Sequence, residues 1–199
     1  MRVMLVSGSL RGRSSSTALL RTAQIASPEG VTAVLFDGLG DLPHFNPDDD
    51  VDPLHPAVAD LRAQIRGADA LLLSTPEYAG ALPGSFKNLL EWAIGDGQAG
   101  SIYKKPVAWI NASASTGATD AHESLRKVLR YTGSEVVESA CADVPVPRQA
   151  VGEDGLIADL VIRERVTRVL MALALHAAGR HQDSIGIVPD HRHRAGGET

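Results

Sequence analysis

Three stretches of this chain carry side chains whose types and spacing suit chemistry. The first is Gly8-Ser9-Leu10-Arg11-Gly12-Arg13-Ser14-Ser15-Ser16-Thr17, which crowds hydroxyls and guanidiniums ahead of Leu19, Leu20 and Ala23 at helical spacing. A helix N-terminus presents unpaired N–H groups and about half a positive charge, so it attracts an anion. Ser9, Ser14, Ser16 and Thr17 add O–H donors, and Gly8 and Gly12 permit close backbone approach. Arg11 adds charge-assisted bonds worth roughly 1.5–3 kcal/mol apiece. The same residues would also make a plain Ser-rich turn with an ordinary N-cap. Two nucleotide motifs fail: no lysine precedes Lys87, which removes the triphosphate loop GxxxxGK, and GxGxxG is missing from this turn. A monophosphate fits these donors better than ATP or a dinucleotide pyrophosphate. Arg13 reads as an exposed loop arginine, with a second anion such as an NADPH phosphate as the alternative.

The other stretches are Pro76 to Trp92, with Pro76, Pro83, Gly80 and Gly84 around a tyrosine, and the small-residue run Asn111 to Ala118. Each follows an apolar β-rich run. Such runs occur at Val3–Val6, Val31–Phe36, Ala70–Ser74, Pro106–Asn111 and Glu135–Ser139, and helical patterns separate them. One helix starts after Pro83, with Phe86, Leu89, Leu90, Ala93 and Ile94 on one face, and stops at Gly95. Others are expected at Val58–Ile65, from Thr119 to before Gly133, and from Leu156 to about Ala178 with Gly179 as its stop. Strands alternating with helices predict an α/β three-layer sandwich. The expected sheet has five parallel strands in the flavodoxin-like order 2-1-3-4-5, with ligand sites at the strands' carboxyl ends near the order reversal. That rule selects the loops Gly8–Ser16, Thr75–Pro83 and Ala112–Ala118.

The 199 residues suit one domain, expected over 1–183, followed by a mobile tail over 184–199. A net charge of −5 without a long basic stretch argues against nucleic acid, and no apolar run is long enough for a membrane span. Cys141 is the single cysteine; it suits a reducing cytoplasm and reads as a buried or incidental thiol. The acidic run Asp48 to Asp50 lacks the calcium-loop spacing and reads as a solvated loop. No GxSxG elbow is present, and His122 reads as a half-exposed residue in the first turn of a helix, so no catalytic acid, base or nucleophile is assigned.

Together, GSLRGRSSS and PEYAGALPGSFKNLLEW resemble the NADPH-dependent FMN reductase family, whose paired patterns are GSLRxxSxN and PEYNGxxPGxLKNxxDW. Looser similarity extends from residue 1 to about 175. The resemblance implies that Ser9, Arg11, Ser14, Ser16 and Thr17 hold the phosphate of FMN, and that Pro76, Glu77, Tyr78, Ala79 and Gly80 line its isoalloxazine ring. Ser113, Ser115 and Gly117 match the family's other flavin-edge loop. Hydride would pass from NADPH or NADH through FMN to a small-molecule acceptor such as free flavin, a quinone or an azo compound. The rival readings are an FMN electron carrier without NAD(P)H activity and a non-enzymatic interaction protein on the same fold. Two family asparagines are replaced, by Ser16 and Ala79. Ala79 keeps its N–H and loses an amide, which predicts a looser hold on the flavin ring or a change in what stacks above it. Phe86, Leu89, Leu90 and Trp92 are expected in the core or at a subunit interface, and apolar surface near Trp92 predicts a homodimer or homotetramer.

Overall fold

A computed structural model describes residues 1–114 and 117–185, with side chains as far as Arg180. The tail predicted from 184 onward therefore lies almost wholly outside the described residues.

The strands β1 (Arg2–Ser7), β2 (Thr32–Phe36), β3 (Ala70–Ser74), β4 (Pro106–Asn111) and β5 (Glu135–Val136) form a parallel sheet in the order β2-β1-β3-β4-β5. This is the flavodoxin-like order the sequence predicts. Side chains alternate faces along each strand. Val3, Leu5, Ala70, Leu72, Ala108 and Ile110 meet α1 (Ser15–Ile25) and α5 (Leu160–Ile185). Met4, Val6, Leu71, Leu73, Val107 and Trp109 meet α2 (Pro56–Arg66), α3 (Gly84–Ile94) and α4 (Thr119–Tyr131). With both faces covered, the central strands are continuously apolar and have no solvent side.

The last strand departs from expectation. Instead of running to Ser139, β5 ends at Val136, and a 3₁₀ turn over Glu138–Ala140 tucks Ala140 into the core under α5. The chain then rejoins the same edge of β4 as β6 (Ala142–Asp143), with Ile110 beside Ala142 and Asn111 beside Asp143. The final helix is also displaced. Leu156 and Ile157 belong to a small hairpin, in which Ile157 bridges Val151 and Gly152 N–H donates to Leu156 O at 2.8 Å. Asp159 opens the helix instead, its carboxylate accepting from the N–H groups of Val161 (2.8 Å) and Ile162 (3.1 Å). Gly179 does not stop the helix, because no left-handed turn follows it; its site is open, and the helix pattern continues to Ile185.

Two further expectations are revised. Trp92 is 1% exposed and its Nε1–H donates to Pro43 O at 2.9 Å, so Trp92 belongs to the core, and of the apolar face of α3 Ile94 alone stands exposed. Asn88 also ties down this segment, donating to Pro43 O (2.8 Å) and accepting from Phe45 N–H (2.7 Å). Within the acidic run, Asp50 is bound rather than solvated: both its oxygens meet the buried Arg62 guanidinium, at 2.8 and 2.9 Å. Arg62 Nε–H donates to Trp92 O at 2.9 Å, so the guanidinium knits α2, α3 and the long connection together.

Candidate functional site

The carboxyl ends of β1, β3 and β4 open into a cavity of about 300 Å³, at the small end of ligand-pocket sizes. From the first loop it is lined by Ser9, Arg11, Ser14 and Ser16, from the second by Pro76, Glu77 and Tyr78, and from the third by Ser113. Most of the residues singled out in the sequence thus converge on one space. Thr17, Ala79, Gly80 and Gly117 are not among its walls, and Ser115 lies outside the described residues.

The first loop is shaped by its own hydrogen bonds. Ser14 is the N-cap of α1, its hydroxyl oxygen accepting from Thr17 N–H at 3.3 Å, which leaves its O–H proton free to donate. Thr17 is turned away from the cavity: its hydroxyl lies 2.7 Å from that of Ser7. Gly8 is required by close approach, since a Cβ there would fall 2.5 Å from Thr75 Oγ1 and 2.9 Å from Phe86 Cδ1. The first and second loops therefore touch through a position that no side chain could share.

The second loop has two anchors. Glu77 reaches across to α4, where its carboxylate accepts from Ala121 N–H at 3.1 Å; the helix's own preceding residue, Ala118, offers no cap. A carboxylate there satisfies an orphan donor and complements the helix dipole. Beyond it, Tyr78 and Ala81 exchange backbone bonds of 3.0 and 3.1 Å around Ala79 (φ 52°) and Gly80 (φ 70°). Two successive positive φ values in a two-residue hairpin define a type I′ turn, whose preferred sequence is Asn-Gly. Tyr78 stands 43% exposed on the rim.

On the third loop, the Asn111 amide bridges Asp143 (2.9 Å) and the carbonyl of Gly117, while Asn111 Oδ1 accepts from Ser113 N–H at 3.0 Å. Gly117 thus serves the loop's shape through its carbonyl. His122 is half-buried, its Nδ1 lying 2.8 Å from Ala118 O and its ring centroid 6.2 Å from that of Trp109. Cys141 sits beside Val137 O, and burial pushes its thiol up to about 11, the opposite of an activated thiolate. Arg13 belongs to a neighbouring cavity, with Arg21, Glu153 and Asp154.

Sequence reasoning missed part of the wall. Thr75, Ala112 and Ala118 extend loops already identified, but Val146 and Arg148 come from the segment after β6. Arg11 and Arg148 bring two guanidiniums to this cavity, and neither forms an ion pair among the described residues. The lining carboxylate, Glu77, is already engaged with α4. The site is thus donor-rich and cationic at the first loop, and small and stiff-walled at the second and third.

A parallel sheet in this order, with a hydroxyl-rich helix start and a proline-stiffened loop on one cavity, defines a flavodoxin-like class of protein. More narrowly, the chain belongs to the NADPH-dependent FMN reductase family, whose model matches residues 1–145. It is 34% identical over 175 residues to an NAD(P)H-dependent FMN reductase of Pseudomonas aeruginosa, covering 87% of this chain and 94% of that one. It is 29% identical over 178 residues to an NADPH:quinone oxidoreductase of Arabidopsis thaliana, covering 86% of this chain and 89% of the relative. Among solved structures, the NAD(P)H:acceptor flavoenzyme FerB of Paracoccus denitrificans superposes with a TM-score of 0.74 at 29% identity, covering 88% of this chain and 98% of FerB. The general class is that of an FMN-dependent oxidoreductase drawing on NAD(P)H.

Proposed function

We propose that this chain binds FMN in the cavity between its first three βα loops and uses it to pass electrons from NADPH or NADH to a small acceptor, a quinone, free flavin or azo compound. The observation that carries the reading is the convergence of Ser9, Arg11, Ser14 and Ser16 with Pro76, Glu77 and Tyr78 on one cavity. That donor set fits a phosphorylated flavin: hydroxyls and a helix N-terminus suit the phosphate, and small, stiff walls suit a flat ring. Ser9, Ser14 and Ser16 would donate to phosphate oxygens, with Arg11 supplying charge. Backbone around Pro76 to Tyr78 would border the ring, with Glu77 fixing that loop through its bond to Ala121 N–H. When bound, FMN supplies the hydride and electron chemistry itself, so the chain's task is to orient it and leave one ring face open. The quinone is favoured among acceptors by the similarity to the plant NADPH:quinone oxidoreductase.

A visible spectrum of the purified chain, taken before and after anaerobic addition of each reduced nicotinamide, tests the proposal. A flavin band that bleaches with NADPH or NADH, and returns when quinone is added, is the expected result. Bound flavin that neither nicotinamide reduces would make the chain an electron carrier; failure to bind FMN would overturn both redox readings. Initial rates with the two nicotinamides give the preference. A cytoplasmic location and a homodimer or homotetramer complete the proposal, the latter tested by mass measurement in solution.

A further inference from the structure

The cavity contains a guanidinium that the first-loop reading does not use. Arg148 begins a single 3₁₀ turn, Arg148–Ala150, behind β6. Two anchors fix its place. On one side, Val144 N–H donates to Asn111 O (2.8 Å) and Val146 N–H to Ala112 O (3.1 Å), so the chain runs along the carboxyl end of β4. On the other, Val151 to Gly155 share a neighbouring cavity with Gly12, Arg13 and Ser14. The link between these anchors must pass the N-terminal end of α1, and Ser14 lines both cavities. Arg148 lies on that link and lines the same cavity as Ser9, Arg11, Ser14 and Ser16. Pro147, at φ −59° and ψ 140°, stiffens the approach.

Charge completes the argument. A phosphate monoester carries about −1.5 to −2 at neutral pH, more than Arg11 alone neutralises. Resting on the FMN reading above, we propose that Arg148 is the second cation of the phosphate end, closing on it with Arg11 and making the site select FMN over its unphosphorylated analogue. Residue 148 lies beyond the 1–145 span matched by the family model.

The test uses the flavin-stripped full chain, titrated with FMN and with riboflavin, for wild type, Arg148→Ala and Arg148→Lys. Arg148 is exposed, so the variants should fold, which a thermal melt checks. Losing a charge-assisted hydrogen bond predicts about tenfold or more weaker FMN binding for Arg148→Ala. Riboflavin binding should stay within about twofold, because it lacks the group a cation would meet. Arg148→Lys should recover part of the FMN loss, since it keeps the charge without the fork. Equal weakening of both ligands would reduce Arg148 to a wall residue and overturn the inference, as would no weakening of either. Unchanged FMN binding with a selective loss of NADPH over NADH would also overturn it, by assigning Arg148 to the reductant. In those cases a wild type that still bleaches with nicotinamide keeps the functional proposal standing; a wild type that binds no FMN sinks both.

Discussion

Replacing Ala79 by asparagine should stabilise this chain even without flavin. Ala79 and Gly80 occupy the two central positions of the turn closed by Tyr78 and Ala81, with φ values of 52° and 70°. Glycine adopts that conformation freely, whereas an alanine there brings Cβ against the following carbonyl, a cost of about 1–2 kcal/mol. Ala79 is exposed, so no packing offsets the strain. Asparagine tolerates the left-handed region through local hydrogen bonding and should recover about 0.5–1 kcal/mol. For a chain of this length, each kcal/mol moves Tm by about 2–4 °C, so the expected rise is about 1–4 °C. Ala79→Gly relieves the whole of that strain but frees the unfolded chain, at about 0.4–1 kcal/mol, so its net gain should be about 0–1.6 kcal/mol, comparable to that of Ala79→Asn. Ala79→Val, β-branched at positive φ, should lose stability.

Thermal melts of flavin-free and FMN-loaded protein separate two explanations. If the family asparagine matters for the turn, Ala79→Asn raises Tm in both states by the same amount. If it matters for an amide contact to flavin, the rise appears only with FMN. No rise in the flavin-free chain would refute the backbone argument. Under the turn account, the loss of asparagine here costs stability and leaves the proposed backbone contacts to the ring unaltered.

Gly8→Ala should force the first and second loops apart, because its Cβ would fall 2.8 Å from Thr75 Cβ; a loss of about 1–3 kcal/mol in urea unfolding, together with weaker FMN binding, is expected. Asp50→Ala strips the partner from the buried Arg62 and should cost about 2–4 kcal/mol, read by the same unfolding curves; a change below about 0.5 kcal/mol would mean the guanidinium finds water instead. Cys141 should resist alkylation: burial raises its thiol from 9.0 to about 11, so at pH 8.5 the folded chain holds it as neutral thiol while the unfolded chain is partly ionised. Between pH 9 and 11 the unfolded state releases this proton and the folded state retains it, so the residue's contribution to stability falls as pH rises. Iodoacetamide labelling as fast in native buffer as in denaturant would contradict that assignment.

What could be read from residues alone was whatever the local pattern fixes. Ala70–Ser74 and Pro106–Asn111 emerge with the bounds the sequence indicates, because fully buried parallel strands are unbroken apolar runs closed by polar punctuation. The first-loop hydroxyls were legible because a helix start and its donors are contiguous. The end of the chain was less so. Glu135 to Ser139 has strand composition, but the room for Ala140 beneath α5 is a tertiary fact, and it breaks the strand. Leu156 fits the helical period of α5, yet the carboxylate of Asp159 decides where the helix begins.

The site divides along the same line. Arg148 carries no local signal: it is one arginine in a proline-rich connection, and it reaches the cavity only because β6 continues along β4 in register. Glu77 shows the converse, a residue whose place beside the cavity was expected but whose carboxylate is spent on Ala121 N–H, holding the second loop to α4. The loop's pattern is therefore as much about its shape as about its ligand. Its proline, its carboxylate anchor and its I′ turn fix a wall before any flavin arrives, and Ala79 is the point at which this chain has given up part of that preorganisation.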